Sequence, residues 1–177
     1  MTHTIYYTAT SLDGFIATPE HSLDWLLTRD NDPAGPMGYD SFITEVGAVV
    51  MGASTYAWLG DNYDGPWPYD VPCWVLTHRN FPARDDGDVR FISEDVARLH
   101  PQLVEAADGK DVWVVGGGNL AHQFAEYGLL DRVMVSVAPV TLGAGAPLLP
   151  GHVELRLTEA SRNRDFACLS YDVVKEH

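Results

Sequence analysis

Lysine is nearly absent from this chain: only Lys110 and Lys175 occur. Lysine and arginine total 11 against 25 aspartates and glutamates, a formal net charge of −14. A surface that acidic repels phosphate backbones and anionic lipid, so nucleic acid and membrane surfaces are excluded as expected partners. Any bound anion must be held by a few arginines, histidines and backbone N–H groups. Cysteine is equally scarce. Cys73 and Cys168 are far apart and neither belongs to a C-x-x-C pair, which argues against a disulfide framework and a cysteine-based zinc site. Two reduced thiols suit a cytoplasmic protein. No apolar run approaches the ~20 residues of a membrane span, and Met1 to Thr4 lacks the basic start of a signal peptide. The seven histidines are scattered without H-E-x-x-H spacing, so no metal site is expected. His122, on an expected helix, reads as solvated. No Walker sequence occurs, and Gly52 to Tyr56 misses the G-x-S-x-G nucleophile elbow at its last position.

What is present fits a globular domain. The 177 residues are 46% hydrophobic and 20% charged, and one domain spanning 1–177 is expected. Continuous apolar runs at Ala48–Met51, Trp74–Thr77 and Val112–Val115 read as strands covered on both faces. Ile5–Thr10 and Arg132–Ala138 read as two more strands. A helix is expected from an N-cap at Ser93 to about Ala107, kinked or begun at Pro101. Another is expected over Asn119–Tyr127, with a helical turn at Asp40–Glu45. Phe15–Asp24 reads as irregular; Asn31–Tyr39, Asp61–Pro72 and Thr141–Gly151 read as loops. Val153–Ala160 and Phe166–Val174 form an antiparallel hairpin around a turn at Arg162-Asn163. The order predicts an α/β fold with a mostly parallel sheet and an antiparallel edge.

Chemistry concentrates where strands run into glycine. Val115 is followed by Gly116, Gly117 and Gly118, then by Asn119 and Leu120 at a helix start. Glycine allows close backbone approach, and a helix start offers free N–H groups and a positive dipole end. That makes a pyrophosphate site without a lysine; a tight strand-to-helix turn with no ligand is the other reading. Gly116, Gly118 and Ala121 fit a relaxed G-x-G-x-x-A fingerprint, but it falls too late in the chain for a Rossmann domain, and Asp131 comes too early for its ribose-binding acid. Gly52, Ala53, Ser54 and Thr55 follow a second strand, and Thr77, His78 and Arg79 a third. Ligands in open α/β sheets sit at these carboxyl ends. Arg79 also reads as an ordinary turn charge. Asp13 shapes a turn with Gly14.

Four segments together resemble the dihydrofolate reductase-like superfamily, most closely its riboflavin-biosynthesis reductase (C-terminal deaminase-reductase) branch. They are Thr10–Ala17, Met51–Tyr56, Val114–Leu120 and Leu142–Leu148. Their order and spacing extend the resemblance from near residue 5 to near residue 174. It implies a single α/β domain with a mixed, mostly parallel sheet of about eight strands, flanked by helices, and NADPH as hydride donor. By position, Ala9 and Ile16 would flank the nicotinamide, and Gly52, Ala53, Ser54 and Thr55 would meet the adenosine end. Thr77, His78 and Arg79 would face the 2′-phosphate, with Val115 through Leu120 around the pyrophosphate. Asp24 lies nearest to the acid that folate reductases use, and would orient substrate or deliver a proton. Trp25, with Trp67 and Tyr69, would offer aromatic surface to a flat substrate. A homodimer is implied. No arginine suits a folate tail and no basic cluster suits a ribose-5-phosphate, while the zinc deaminase half is absent. The resemblance therefore implies an NADPH-dependent reductase of a small heterocyclic or carbonyl compound. A pyridine-nucleotide-binding protein or sensor without turnover, and a diverged scaffold that has lost the site, are the alternatives.

Overall fold

The computed structural model describes residues 1–175. In chain order the first half runs β1 (Thr4–Thr10), β2 (Phe15–Ala17), α1 (Asp24–Leu27), α2 (Tyr39–Thr44), β3 (Val46–Gly52), α3 (Ala53–Asn62), β4 (Cys73–Leu76) and β5 (Val89–Ile92). The second half runs α4 (Val96–Ala107), β6 (Asp111–Gly116), α5 (Gly118–Glu126), β7 (Arg132–Val137), β8 (Ala146–Pro147), β9 (Leu155–Asn163) and β10 (Phe166–Val173).

Eight strands form one sheet in the order β5-β4-β3-β6-β1-β7-β10-β9. Neighbours from β5 to β7 are parallel, while β10 runs antiparallel to both β7 and β9. This is the mixed, mostly parallel sheet expected from continuous apolar runs followed by a hairpin. Strand alternation sorts the core into two layers. Tyr6, Val50, Val112 and Val114 face α4 and α5, where Leu99, Leu103 and Phe124 are wholly buried. Val49, Met51, Cys73, Val75 and Trp113 pack on the opposite face with Tyr56 of α3. Burial pushes the Cys73 thiol up to about 12, so it stays protonated.

Several local expectations are corrected. Asp95, not Ser93, caps α4, its carboxylate accepting from the Ala97 N–H at 2.9 Å. Pro101 lies inside that helix, which neither begins nor ends there. The segment 15–24 is not irregular throughout: β2 pairs with β8, a two-residue strand inside the expected 141–151 loop. The short edge strand β5 is not among the expected strands, since Arg90 interrupts its apolar residues Val89, Phe91 and Ile92. The hairpin turns at Arg164-Asp165, two residues later than expected. Asn163 belongs to the strand because its buried amide accepts from Asp32 N–H and donates to the carbonyls of Asp32 and Pro36.

Candidate active site

Because β3, β4 and β6 are parallel, their carboxyl ends Gly52, Leu76 and Gly116 emerge at one edge of the sheet. Two helices start there. Gly52 is the N-cap of α3 and Gly117 the N-cap of α5; both are extended, and neither helix has a side-chain cap or an acid in its first turn. Each leaves free first-turn N–H groups and the positive end of its dipole facing outward. Both starts line one cleft of about 480 Å³, which also takes in Thr77 and His78. Glu94 is the only carboxylate among its lining residues.

The glycines of this edge have distinct reasons. Gly116 has φ +150°, open to glycine and strained for other residues. A Cβ on Gly118 would lie 2.3 Å from the carbonyl oxygens of Pro147 and Leu148, so glycine there lets α5 dock on the β8 segment. A Cβ on Gly117 would meet only Ile16 Cδ1, at 3.7 Å. Packing does not demand glycine at 117; a side chain there would instead project into open space at the cleft.

Beside the cleft, over the middle of the sheet, is a second cavity of about 350 Å³. Tyr7 and Ala9 on β1 and Trp113 and Val115 on β6 reach it by strand alternation. Thr55, Trp58 and Leu59 reach it from α3 at helical spacing of three and four. None of its lining residues is Asp, Glu, Lys, Arg or His. Its wall is rigidly held. Tyr7 stacks on Phe42 with centroids 3.9 Å apart and donates its hydroxyl to the Met37 carbonyl at 2.8 Å. Burial raises that hydroxyl to about 12. The Trp113 indole N–H donates to the Tyr7 carbonyl at 3.0 Å. Tyr39, whose hydroxyl is also raised, chiefly by desolvation, contributes a polar rim.

The expected site residues distribute over these two spaces and their margins. Gly52, Ala53, Ser54, Thr77, His78, Gly117, Gly118, Asn119 and Leu120 line the cleft. Ala9, Thr55 and Val115 line the cavity. Ile16 stands against Gly117, and Gly116 ends β6 between them. Arg79 lies in an adjoining hollow, its guanidinium 4.9 Å from the Phe81 ring centroid. Asp24 opens α1 and is exposed; Leu23 and Leu26 of that segment face the cavity, whereas Asp24 faces the hollow that holds Arg79. Trp25 does not line the cavity either. It packs behind Phe166 with Ala138 and Cys168 and donates to the Ser22 carbonyl at 3.1 Å. Trp67 and Tyr69 are packed in the core beneath α3, against Tyr56 and Trp113. Sequence reading missed the cavity wall of Tyr7, Tyr39, Trp58 and Trp113; the spacing Thr55-Trp58-Leu59 was the available signal. His122 is less solvated than expected, with a side chain 17% exposed beside Glu126 and a ring that presses on Gly151.

Asp13 does more than shape a turn. It accepts from Ser11 Oγ at 2.6 Å and from the Leu142 and Gly143 N–H groups at 3.0 and 2.8 Å. Led by the Ser11 hydroxyl, these donors hold its carboxyl down at about 2. The tie joins the turn after β1 to the glycine loop before β8.

An eight-stranded mixed sheet with an antiparallel carboxyl-terminal pair and a ligand-sized cleft at its parallel strand ends defines a dihydrofolate reductase-like domain. The profile of the RibD C-terminal domain matches residues 67–166. The protein YwjB of Bacillus subtilis (strain 168) is 35% identical over 158 residues, 87% of this chain and 88% of that protein. The riboflavin biosynthesis protein RibD of Corynebacterium ammoniagenes is 32% identical over 152 residues, 80% of this chain but 44% of that longer protein. Among solved structures, one from Shewanella sp. PV-4 described as a riboflavin biosynthesis protein superposes with TM-score 0.81 at 24% identity, covering 98% of this chain and 99% of that one. A deaminase/5-amino-6-(5-phosphoribosylamino)uracil reductase of Thermotoga maritima gives TM-score 0.67 at 15% identity, covering 98% of this chain and 57% of that one. The chain belongs to the RibD C-terminal domain family. Among the described residues no helix is long and apolar enough to cross a membrane, and no group of three or more His, Cys, Asp or Glu side chains is placed to hold a metal ion.

Proposed function

We propose that this protein is an NADPH-dependent reductase that passes hydride to a small heterocyclic or carbonyl compound, working as a homodimer. The observation that carries the reading is the pair of uncapped helix starts bracketing one cleft, beside a separate cavity that shares the α3 wall. NADPH bound there supplies the hydride from its nicotinamide C4. The N–H groups from Gly117 to Leu120 would take the pyrophosphate without needing a lysine. Gly52, Ala53 and Ser54 would meet the adenosine end, whereas Thr55, expected there from the sequence, lines the neighbouring cavity instead. Thr77, His78 and Arg79 are suited to the 2′-phosphate through charge-assisted hydrogen bonds. Ala9, Ile16 and Val115 would form the apolar faces that hold the nicotinamide and keep water out.

Such chemistry asks the protein chiefly for proximity and exclusion of solvent. Trp58, with Trp113 and Phe166 buried behind the wall, would give the acceptor an apolar, aromatic-rich seat. Relatives named for riboflavin biosynthesis support including ribosylaminopyrimidines among acceptors to be tried, beside pteridines and small carbonyls. The test is loss of NADPH absorbance in the presence of each acceptor, with deuteride transfer from C4-labelled cofactor into product. Acceptor-dependent oxidation with label transfer is expected; no oxidation across all three acceptor classes would count against a reductase. Light scattering during size exclusion checks the dimer, and a monomer at micromolar concentration would remove that part.

A further inference from the structure

The cavity beside the cleft has a property that narrows its ligand. Every side chain that lines it is uncharged, in a protein of net charge −14. The hollow next to it carries three carboxylates, Glu20, Asp24 and Asp61, against one guanidinium, Arg79. Arg29, on the segment that follows α1, spends its guanidinium Nε–H on the Trp25 carbonyl at 3.0 Å and does not line the cavity. A phosphate or carboxylate placed in this space would give up part of its water and gain no cation from the lining.

We propose that the cavity accepts an uncharged, planar aromatic compound and rejects its phosphorylated counterpart. This rests on reading the cavity as the acceptor site of the reductase. Three observations support it. Its walls are aromatic and aliphatic: Trp58, half-buried on α3, offers a flat surface, while Trp113 and Phe166 are buried in the wall. Its volume of about 350 Å³ equals roughly a dozen water volumes, room for one ring or a fused pair. Its polar groups are neutral. Tyr7 and Asn163 are already engaged within the fold, and Thr8 and Ser136 pair with the Ala9 carbonyl and the Cys168 thiol, which leaves Asn31, Tyr39 and Thr55 to pair with a ring N–H or carbonyl. Substrate choice would then be made by exclusion, since a neutral site penalises the charged analogue more than it rewards the right one.

The test is a matched pair, 1-naphthol and 1-naphthyl phosphate, titrated calorimetrically into the full-length protein. The two share a ring system and differ by the phosphate. Binding of the naphthol at least tenfold tighter than the phosphate is expected, and Trp58→Ala should weaken it at least fivefold. Leu26→Arg, which places a cation on the half-buried cavity wall, should raise affinity for the phosphate. Equal or tighter binding of the phosphate by the unmodified protein would overturn the proposal, as would no binding of either compound. Titration of NADPH into the same samples scores the underlying reading separately. Phosphate preference with intact NADPH binding would sink only the cavity assignment. Naphthol preference without NADPH binding would sink only the reductase reading.

Discussion

Gly117 and Gly118 are adjacent, yet the structure assigns them opposite sensitivities. In Gly118→Ala the new methyl would sit 2.3 Å from two backbone oxygens, those of Pro147 and Leu148. Ordinary contact needs about 1 Å more, so the β8 segment must move away from α5. That segment is fixed by Tyr6 Oη donating to the Leu148 carbonyl at 3.0 Å and by Leu148 N–H donating to the Gly14 carbonyl at 2.8 Å. Overpacking costs about 1–3 kcal/mol, and two strained hydrogen bonds add about 1 kcal/mol each. The expected loss is about 3–5 kcal/mol, a large share of the roughly 5–15 kcal/mol that a domain has. In Gly117→Ala the methyl meets only Ile16 Cδ1 at 3.7 Å, and the N-cap change costs about 1 kcal/mol. The same methyl projects where a pyrophosphate must approach the α5 N–H groups. Urea denaturation and NADPH fluorescence titration of both variants separate the effects. Gly118→Ala should lose stability; Gly117→Ala should stay folded and bind NADPH at least tenfold more weakly. A stable Gly117→Ala protein with unchanged NADPH affinity would refute the placement of the pyrophosphate.

Four further outcomes are expected. Arg79→Ala should weaken NADPH by about 10- to 100-fold, the worth of a charge-assisted hydrogen bond, while NADH changes little; equal weakening of both in a paired titration would remove the 2′-phosphate role. Leu103→Ala, at a wholly buried position under the sheet, should cost about 2–5 kcal/mol by chemical denaturation. Asp13 is held at about 2 in the folded protein, below its unfolded value, so its tie is fully present above about pH 4 and is lost as pH falls towards 2. A carboxyl carbon NMR titration should show Asp13 inflecting near 2, and an inflection near 4 would contradict the three-donor cradle. Asp24→Asn should cost acceptor turnover far less than the ~10²-fold expected for a lost proton donor, because its carboxylate faces the outer hollow; a loss of that size would restore it to the chemistry.

The apolar strands were legible because burial on both faces leaves an uninterrupted signal: Ala48–Met51 and Val112–Val115 both fall inside observed strands. The glycine clusters were legible because a parallel sheet brings strand ends to one edge, so Gly52, Thr77 and Gly117 meet although 65 residues separate the first from the last. Short pairings were not legible. β2 and β8 span three and two residues, and such strands are defined by partner and not by pattern. Asp24 and Trp25 show the harder limit. A four-residue helix shows three faces within one turn, so adjacent residues face the hollow, the core and the cavity. Only packing decides which residue faces which. Tyr7, Trp58 and Trp113 were hidden for a related reason, since an aromatic that lines a cavity and one that fills a core look alike in sequence.

The central claim is that the cleft between the α3 and α5 starts holds NADPH. A side-by-side fluorescence titration of the purified protein with NADPH and NADH tests it most directly. Saturable binding of NADPH, tighter than NADH and weakened in Gly117→Ala, is the predicted result. Failure to bind either nucleotide would mean that the glycines at 52 and 116–118 serve the turns alone, and would contradict the account.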